Sequence, residues 1–154
     1  MPIVYNQAYS AALRPEPDLT VSEWADRHRI LDQASSSEAG KWRTDRTPYL
    51  REIMDSLSAQ SPDDIIVFMK GAQIGATEAG NNWLGYVIHH APGSMLYVMP
   101  TADSAKRASK QRIGPMLDSI PEVAAKISAP RARDSGNTLF QKDYPGGTLV
   151  LTGS

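Results

Sequence analysis

The chain has 154 residues, which is enough for one hydrophobic core of ordinary size. Its formal net charge is −1 and its pI is about 6.3, so the chain as a whole is not attracted to nucleic acid, although these values are compatible with a local basic patch. The absence of cysteine excludes disulfides, thiol nucleophiles and thiolate metal sites. Its mean hydropathy is −0.37 and no apolar run approaches the roughly 20 residues of a membrane span, so we expect a cytoplasmic protein with no membrane partner.

The N-terminal part of the sequence predicts a polar arm followed by two helices. Residues 1–20 mix polar side chains with two prolines, which is typical of an arm that orders on contact. Ser22 is predicted to cap a short helix, and Thr47 is predicted to cap a second helix that continues to Leu57. We therefore expect a helical segment over residues 21–60 that leads into the next domain.

Residues 61–154 alternate strand-like and helix-like patterns. Apolar runs and turn residues divide this part into compact elements of five to about 17 residues. Such alternation is typical of an α/β sheet with crossover helices, and specifically of a partial, P-loop NTPase-like parallel sheet. The predicted elements are a strand at 65–69, a helix at 77–90, a strand at 95–99, a helix from 101 towards 117 that breaks near 114–115, and a hairpin of 138–143 with 148–152.

The junction between the first predicted strand and its helix has the order of a phosphate-binding loop. In the pattern G-x-x-x-x-G-K-[ST], Gly75 matches the second glycine and Thr77 the hydroxyl that binds Mg²⁺. Ala76 stands where the lysine is expected, and Lys70 stands at the first glycine. A lysine at the loop entrance can still reach phosphate oxygens, because an ammonium on a flexible stem acts as a point charge. The predicted ATP-binding residues are Lys70, Gly71, Ala72, Gln73, Ile74, Gly75, Ala76 and Thr77, with Thr77 also the predicted Mg²⁺ ligand.

An aromatic side chain upstream of this loop is a candidate for the base. Tyr49 could lie against an adenine ring, with Arg46 or Arg51 nearby for polar contacts. An aromatic that only packs its own helix explains Tyr49 equally well.

A second group of cations lies on the helix after the 95–99 strand. Four basic side chains fall within seven residues, a pattern that suits phosphates of a polynucleotide and also suits an ordinary solvated helix face. The nucleic-acid candidates are Lys106, Arg107, Lys110 and Arg112.

The pattern lacks the acidic residues that complete a P-loop hydrolase. Such folds need a strand that ends in Asp, usually Asp-Glu, to hold Mg²⁺ and polarise water. The predicted strands end in Met99-Pro100 and in Thr152-Gly153. We therefore expect a domain that stops before its acidic strand and that does not hydrolyse ATP by itself.

Together these residues resemble the large subunit of tailed-phage DNA-packaging terminases of the GpA type. The likeness extends over residues 20–154, and the loop with its lysine at the entrance is its most specific mark. The matching segments are VSEWA at 21–25, WR at 42–43, TPYLREIM at 47–54, KGAQIGATE at 70–78, NWLGY at 82–86, PT at 100–101, GG at 146–147 and LTG at 151–153.

The resemblance implies an ATP-driven motor that moves double-stranded viral DNA into a procapsid in the host cytoplasm. It implies a small terminase subunit and the portal as partners, an oligomeric motor, and a metal-dependent nuclease in a later domain. Lys70 and Thr77 match the family's phosphate and Mg²⁺ positions, and Tyr49 lies in the region associated with adenine. Many terminases carry an arginine inside the loop, whereas this chain has Gln73, whose neutral amide cannot supply that charge.

Two other classes of function remain compatible with the sequence. Residues 1–60 could act as an interaction module that docks a small subunit without any catalysis. A P-loop helicase has early motifs in the same order, whereas a nucleotide kinase would need a lid and an acceptor site for which the chain has no room. An apolar strand ending in Asp-Glu after Ser154 would favour the motor.

Overall fold

The computed structural model describes residues 17–31, 39–127 and 137–154, so residues 1–16 of the arm predicted over residues 1–20 lie outside the described part. The fold is mixed α/β, with short helices around a small sheet. Its helices are α1 (Val21–His28), α2 (Arg51–Ser56), α3 (Ala76–His89), α4 (Ala102–Ala108), α5 (Gly114–Ser119) and α6 (Pro121–Ala124), and its strands are β1 (Ile30–Leu31), β2 (Gly40–Lys41), β3 (Met95–Met99), β4 (Gln141–Tyr144) and β5 (Gly147–Gly153).

Helix α1 joins the N-terminal segment to the body of the fold. Its N-cap is Thr20, whose hydroxyl oxygen accepts from the backbone N–H of Glu23, while the Glu23 carboxylate accepts from the backbone N–H of Thr20. The prediction of Ser22 as the cap was therefore wrong. The reciprocal capping box gives hydrogen-bond partners to two free N–H groups, whereas a serine two residues later would give partners to fewer of these groups. Trp24 is fully buried against α3, where a Cβ at Gly85 would come within 2.4 Å of its ring.

The second predicted helix is shorter than expected. Residues 44–50 form two 3₁₀ turns, Thr44–Arg46 and Pro48–Leu50, and α2 begins only at Arg51. Thr47 connects the two turns with extended φ and makes no capping hydrogen bond through its side chain. The restriction that Pro48 places on the residue before it is compatible with Thr47 as an N-cap, but the chain continues as a 3₁₀ turn and the α-helix begins only at Arg51.

The sheet has the order β3-β5-β4, with β3 and β5 parallel and β4 antiparallel to β5. The 95–99 strand and the hairpin were predicted correctly, although the hairpin turn is two residues, Pro145 and Gly146, rather than four. Gly146 has φ 91°, which a glycine adopts without strain. The parallel pair brings the C-terminal ends of β3 and β5 together, since Met99 is opposite Gly153.

The strand predicted at residues 65–69 does not join this sheet. The segment is not part of any helix or strand of the described residues, so the prediction of a strand here was wrong. Its side chains still alternate as in a strand, because Phe68 packs on the core while Ile65, Val67 and Met69 are 83%, 86% and 96% exposed. The apolar pattern predicts extended backbone, but only a neighbouring strand makes a ladder.

The helix after β3 changes its winding. Thr101 caps α4 as predicted, through its hydroxyl and the backbone N–H of Ser104. The next five residues, Ser109–Ile113, form a π-helical turn, and α5 follows. The predicted break near residues 114–115 is thus an expanded turn, closed by a hydrogen bond from the N–H of Gly114 to the carbonyl of Ser109.

One hydrophobic core unites these elements around α3. Trp24, Leu84, Ile88, Leu117 and Leu149 are among its fully buried members. In the described part of the chain, no helix combines the length and the apolar character needed to cross a membrane.

Candidate functional site

The backbone of the 70–77 loop takes a shape suited to binding an anion. Gln73 has φ 56° and Gly75 has φ 83°, with Ile74 at negative φ between them. Alternation of left-handed and right-handed residues turns successive N–H groups towards one side and forms a concavity for an anion. Gly75 is also spatially constrained, because an added Cβ would lie 3.1 Å from the buried Leu50.

This loop leads directly into the N-terminus of α3. Gly75 is the N-cap of the helix and no side chain caps it, so the first N–H groups are left for a ligand or for water. Thr77 is the second residue of the helix and is exposed. Its hydroxyl remains open to a ligand at the helix start.

Lys70 lies at the loop entrance as the pattern predicts, but its side chain is exposed. Two cavities lie beside the loop, and Lys70 lines neither of them. The structure therefore brings Gln73, Gly75 and Thr77 together at the α3 N-terminus and leaves Lys70 on the surface beside them.

The first cavity, here called the tyrosine cavity, has a volume of about 310 Å³ and lies between the 3₁₀ turns and the loop. Its walls come from two separate stretches of chain, one upstream of α2 and one from the loop. The residues that line it are Leu31, Lys41, Trp42, Arg43, Arg46, Thr47, Tyr49, Gln73, Ile74 and Gly75.

Tyr49 ties this cavity to the loop. Its hydroxyl donates to the carbonyl of Ile74 at 3.1 Å, while 54% of the side chain is exposed. The Thr47 hydroxyl is buried and has no hydrogen-bond partner among the described residues. Arg46 lines the cavity, whereas Arg51 pairs with Asp45 at 2.7 Å and does not. The cavity thus offers an aromatic face, a free hydroxyl and cationic groups.

The second cavity, here called the arginine cavity, has a volume of about 410 Å³ and lies on the other side of the α3 N-terminus. It is bounded by α3, the end of β3 and the helix after it. Its lining residues are Thr77, Asn81, Tyr97, Met99, Ser104, Arg107, Ala108, Gln111, Arg112 and Ile113.

Only two of the four predicted nucleic-acid cations line this cavity. All four are exposed, but Arg107 and Arg112 line the arginine cavity and Lys106 and Lys110 do not. Their assignment to nucleic acid remains a prediction.

Asn81 was not identified from the sequence, yet it is the most constrained polar group at this cavity. Its side-chain N–H donates to Glu78 at 3.1 Å, and the other oxygen of Glu78 accepts from the buried Arg29 at 2.9 Å. The amide cannot be reversed, because its oxygen would then face a carboxylate. The Asn81 oxygen is buried and has no partner among the described residues. Its position one helical turn after Thr77 was the only sequence signal.

Tyr97 reports the charges around the same cavity. Burial raises the pKa of the Tyr97 phenol; the guanidinium of Arg112 opposes this change and the carboxylate of Glu78 adds to it. Tyr97 therefore remains a neutral donor near neutral pH, and Arg112 lies close enough to influence it.

The donor set at Thr77 fits Mg²⁺ that is bound mainly through a substrate. Mg²⁺ keeps several waters and takes one or two protein oxygens together with phosphate oxygens. Among the described residues, no group of three or more His, Cys, Asp or Glu side chains could hold a metal without such a substrate.

Comparison with known proteins identifies relatives of this chain. The family model for the phage terminase large subunit gpA, ATPase domain, matches residues 36–154. The terminase large subunit of Enterobacteria phage P21 is 26% identical over 132 residues, which cover 84% of this chain. This chain spans 20% of the length of that relative. No solved structure matches the chain.

Proposed function

The chain belongs to the family of phage terminase large subunit gpA ATPase domains, and we propose that it is the nucleotide-binding part of an ATP-driven DNA-packaging motor. The observation that carries this proposal is the loop at residues 73–77, which opens onto the α3 N-terminus between two cavities. Double-stranded viral DNA, a small terminase subunit and the portal of a procapsid are the partners that we propose for the whole protein.

In this proposal the base of ATP occupies the tyrosine cavity. Tyr49 presents a half-exposed ring held by its bond to Ile74, and a planar base could stack on it. The buried hydroxyl of Thr47 needs a partner, and a purine edge offers both donors and acceptors. Arg46 lines the same cavity and can contact the ribose or a phosphate.

The phosphates would then cross the loop towards Thr77. The backbone N–H groups around Gln73 and Gly75 would bind phosphate oxygens, assisted by the positive end of α3. Lys70 would turn from the surface and add a point charge, since four rotatable bonds give its ammonium a wide reach. Thr77 would hold Mg²⁺, which neutralises phosphate charge when bound.

We expect this chain to bind ATP without hydrolysing it. Neither β3 nor β5 is followed directly by Asp or Glu, the position from which P-loop enzymes hold the metal and polarise water. The expected rate of phosphate release by the 154-residue chain is that of buffer alone. Sustained release that disappears in Thr77→Ala would contradict this expectation.

The test of the proposed function is a titration of ATP and Mg²⁺ into the wild-type chain and Lys70→Ala. Charge-assisted contacts to phosphate are worth about 1.5–3 kcal/mol, so the Kd should rise roughly tenfold or more. Lys110→Ala is the matched control, because Lys110 is exposed and lines neither cavity. Equal affinities in wild type and Lys70→Ala would reject the lysine assignment, and no binding to wild type would reject the nucleotide site.

A further inference from the structure

We propose that the arginine cavity binds the terminal phosphate of the nucleotide and that Arg112, with Arg107, supplies the positive charge that the loop lacks at Gln73. This inference rests on the proposed function, because it assumes that the loop holds a nucleoside triphosphate. It assigns to the nucleotide two cations that the sequence pattern assigned to a polynucleotide.

The charge of the arginine cavity suits a phosphate. Two guanidinium groups line the cavity, and its lining contains no carboxylate. The uncapped N-terminus of α3 adds partial positive charge on the side of Thr77. A cavity lined by one sign of charge attracts a ligand of the opposite sign, and arginine has the planar fork that matches phosphate oxygens.

The two arginines lie on the same cavity although they are five residues apart. Residues five apart on an α-helix are separated by about 140° around the axis, so Arg107 and Arg112 would face different directions. The π-helical turn at Ser109–Ile113 widens the helix and brings Arg112 back towards the side of Arg107. Turns of this kind are frequent at functional sites. Both arginines line the cavity that also contains Thr77, where the terminal phosphate and its metal would lie.

The side-chain oxygen of Asn81 has no hydrogen-bond partner among the described residues. This side chain is 2% exposed, and its orientation is set by Glu78, which is itself held by Arg29. A buried oxygen without a hydrogen-bond partner destabilises the fold, and a bound water can supply that partner. Asn81 would therefore accept from a water molecule that hydrates the phosphate, which makes it a positioning residue.

The experiment compares ATP with ADP, each with Mg²⁺, on the 154-residue chain. Arg112→Ala should weaken ATP binding about tenfold or more and leave ADP binding within about twofold, because only ATP carries the terminal phosphate. Arg112→Lys should recover part of the ATP affinity, since it keeps the charge and loses the fork. Lys110→Ala, which changes an exposed cation on the same π-helical turn, should affect neither nucleotide.

The outcomes separate this inference from the proposed function. If ATP and ADP both bind, Lys70→Ala weakens both, and Arg112→Ala weakens neither or weakens both equally, the proposed function survives and this inference is overturned. If Arg112→Ala reduces binding of a DNA duplex but not of ATP, the cavity serves nucleic acid and the inference is also overturned. If the wild type binds neither nucleotide, both proposals fail.

Discussion

Strand β5 and the segment at residues 65–69 have similar apolar sequences and opposite environments. In β5, Leu149 and Leu151 are buried and the strand is paired on both sides. In the 65–69 segment, Ile65 and Val67 are more than four-fifths exposed, and no described strand is paired with them. Burial therefore depends on whether a neighbour is present and not on the apolar pattern itself.

Truncating one apolar side chain in each region tests this contrast and should give the largest change in the free energy of unfolding. Leu149→Ala should reduce the free energy of unfolding by about 2–5 kcal/mol, because it removes buried contacts and leaves a cavity. Ile65→Ala should change it by less than about 0.5 kcal/mol, because that side chain is already in solvent. Urea unfolding of both variants measures the difference. Equal losses would show that the 65–69 segment is covered in solution.

Two glycines of α3 provide a second comparison of buried and open positions, with a smaller expected change in stability. Gly85→Ala should destabilise the fold by about 1–3 kcal/mol, because its Cβ would come within 2.4 Å of the Trp24 ring. Gly80→Ala should stabilise it by about 0.5–1 kcal/mol, because a Cβ at Gly80 meets nothing within 4 Å and alanine favours the helix. Thermal unfolding of the pair is the measurement. A destabilising Gly80→Ala would contradict the described packing of α3.

The third comparison concerns self-association of the chain, with the smallest expected change in the free energy of unfolding. An extended apolar segment without a partner is a template for pairing with another chain, so we expect the wild type to associate as its concentration rises. Val67→Lys should suppress this association and change the free energy of unfolding by less than about 0.5 kcal/mol. Sedimentation velocity over a concentration series measures it. The control is Leu96→Lys, which alters an exposed apolar residue of β3, an edge strand whose partner in the described sheet is β5. A monodisperse wild type, or equal suppression by both variants, would contradict this prediction.

The sequence alone determined much of the local structure that follows the loop, although the strand predicted directly before it was wrong. The spacing of Gly75 and Thr77 predicted the start of α3, and alternation of apolar runs and turns predicted β3, the hairpin and the Thr101 cap correctly. These features depend on backbone preferences and on hydrogen bonds over a few residues, which a sequence pattern records directly.

Tertiary structure alone decided which of these residues meet. Tyr49 reaches Ile74 across 25 positions, and Arg29 reaches Glu78 across 49, so no local pattern could reveal either contact. The cavity lining also includes only two of the four cations, and the π-helical turn beside them has no simple sequence signal. The pairing of β5 and the exposure of residues 65–69 differ for the same reason: a ladder requires a partner, and the partner of a strand lies elsewhere in the fold.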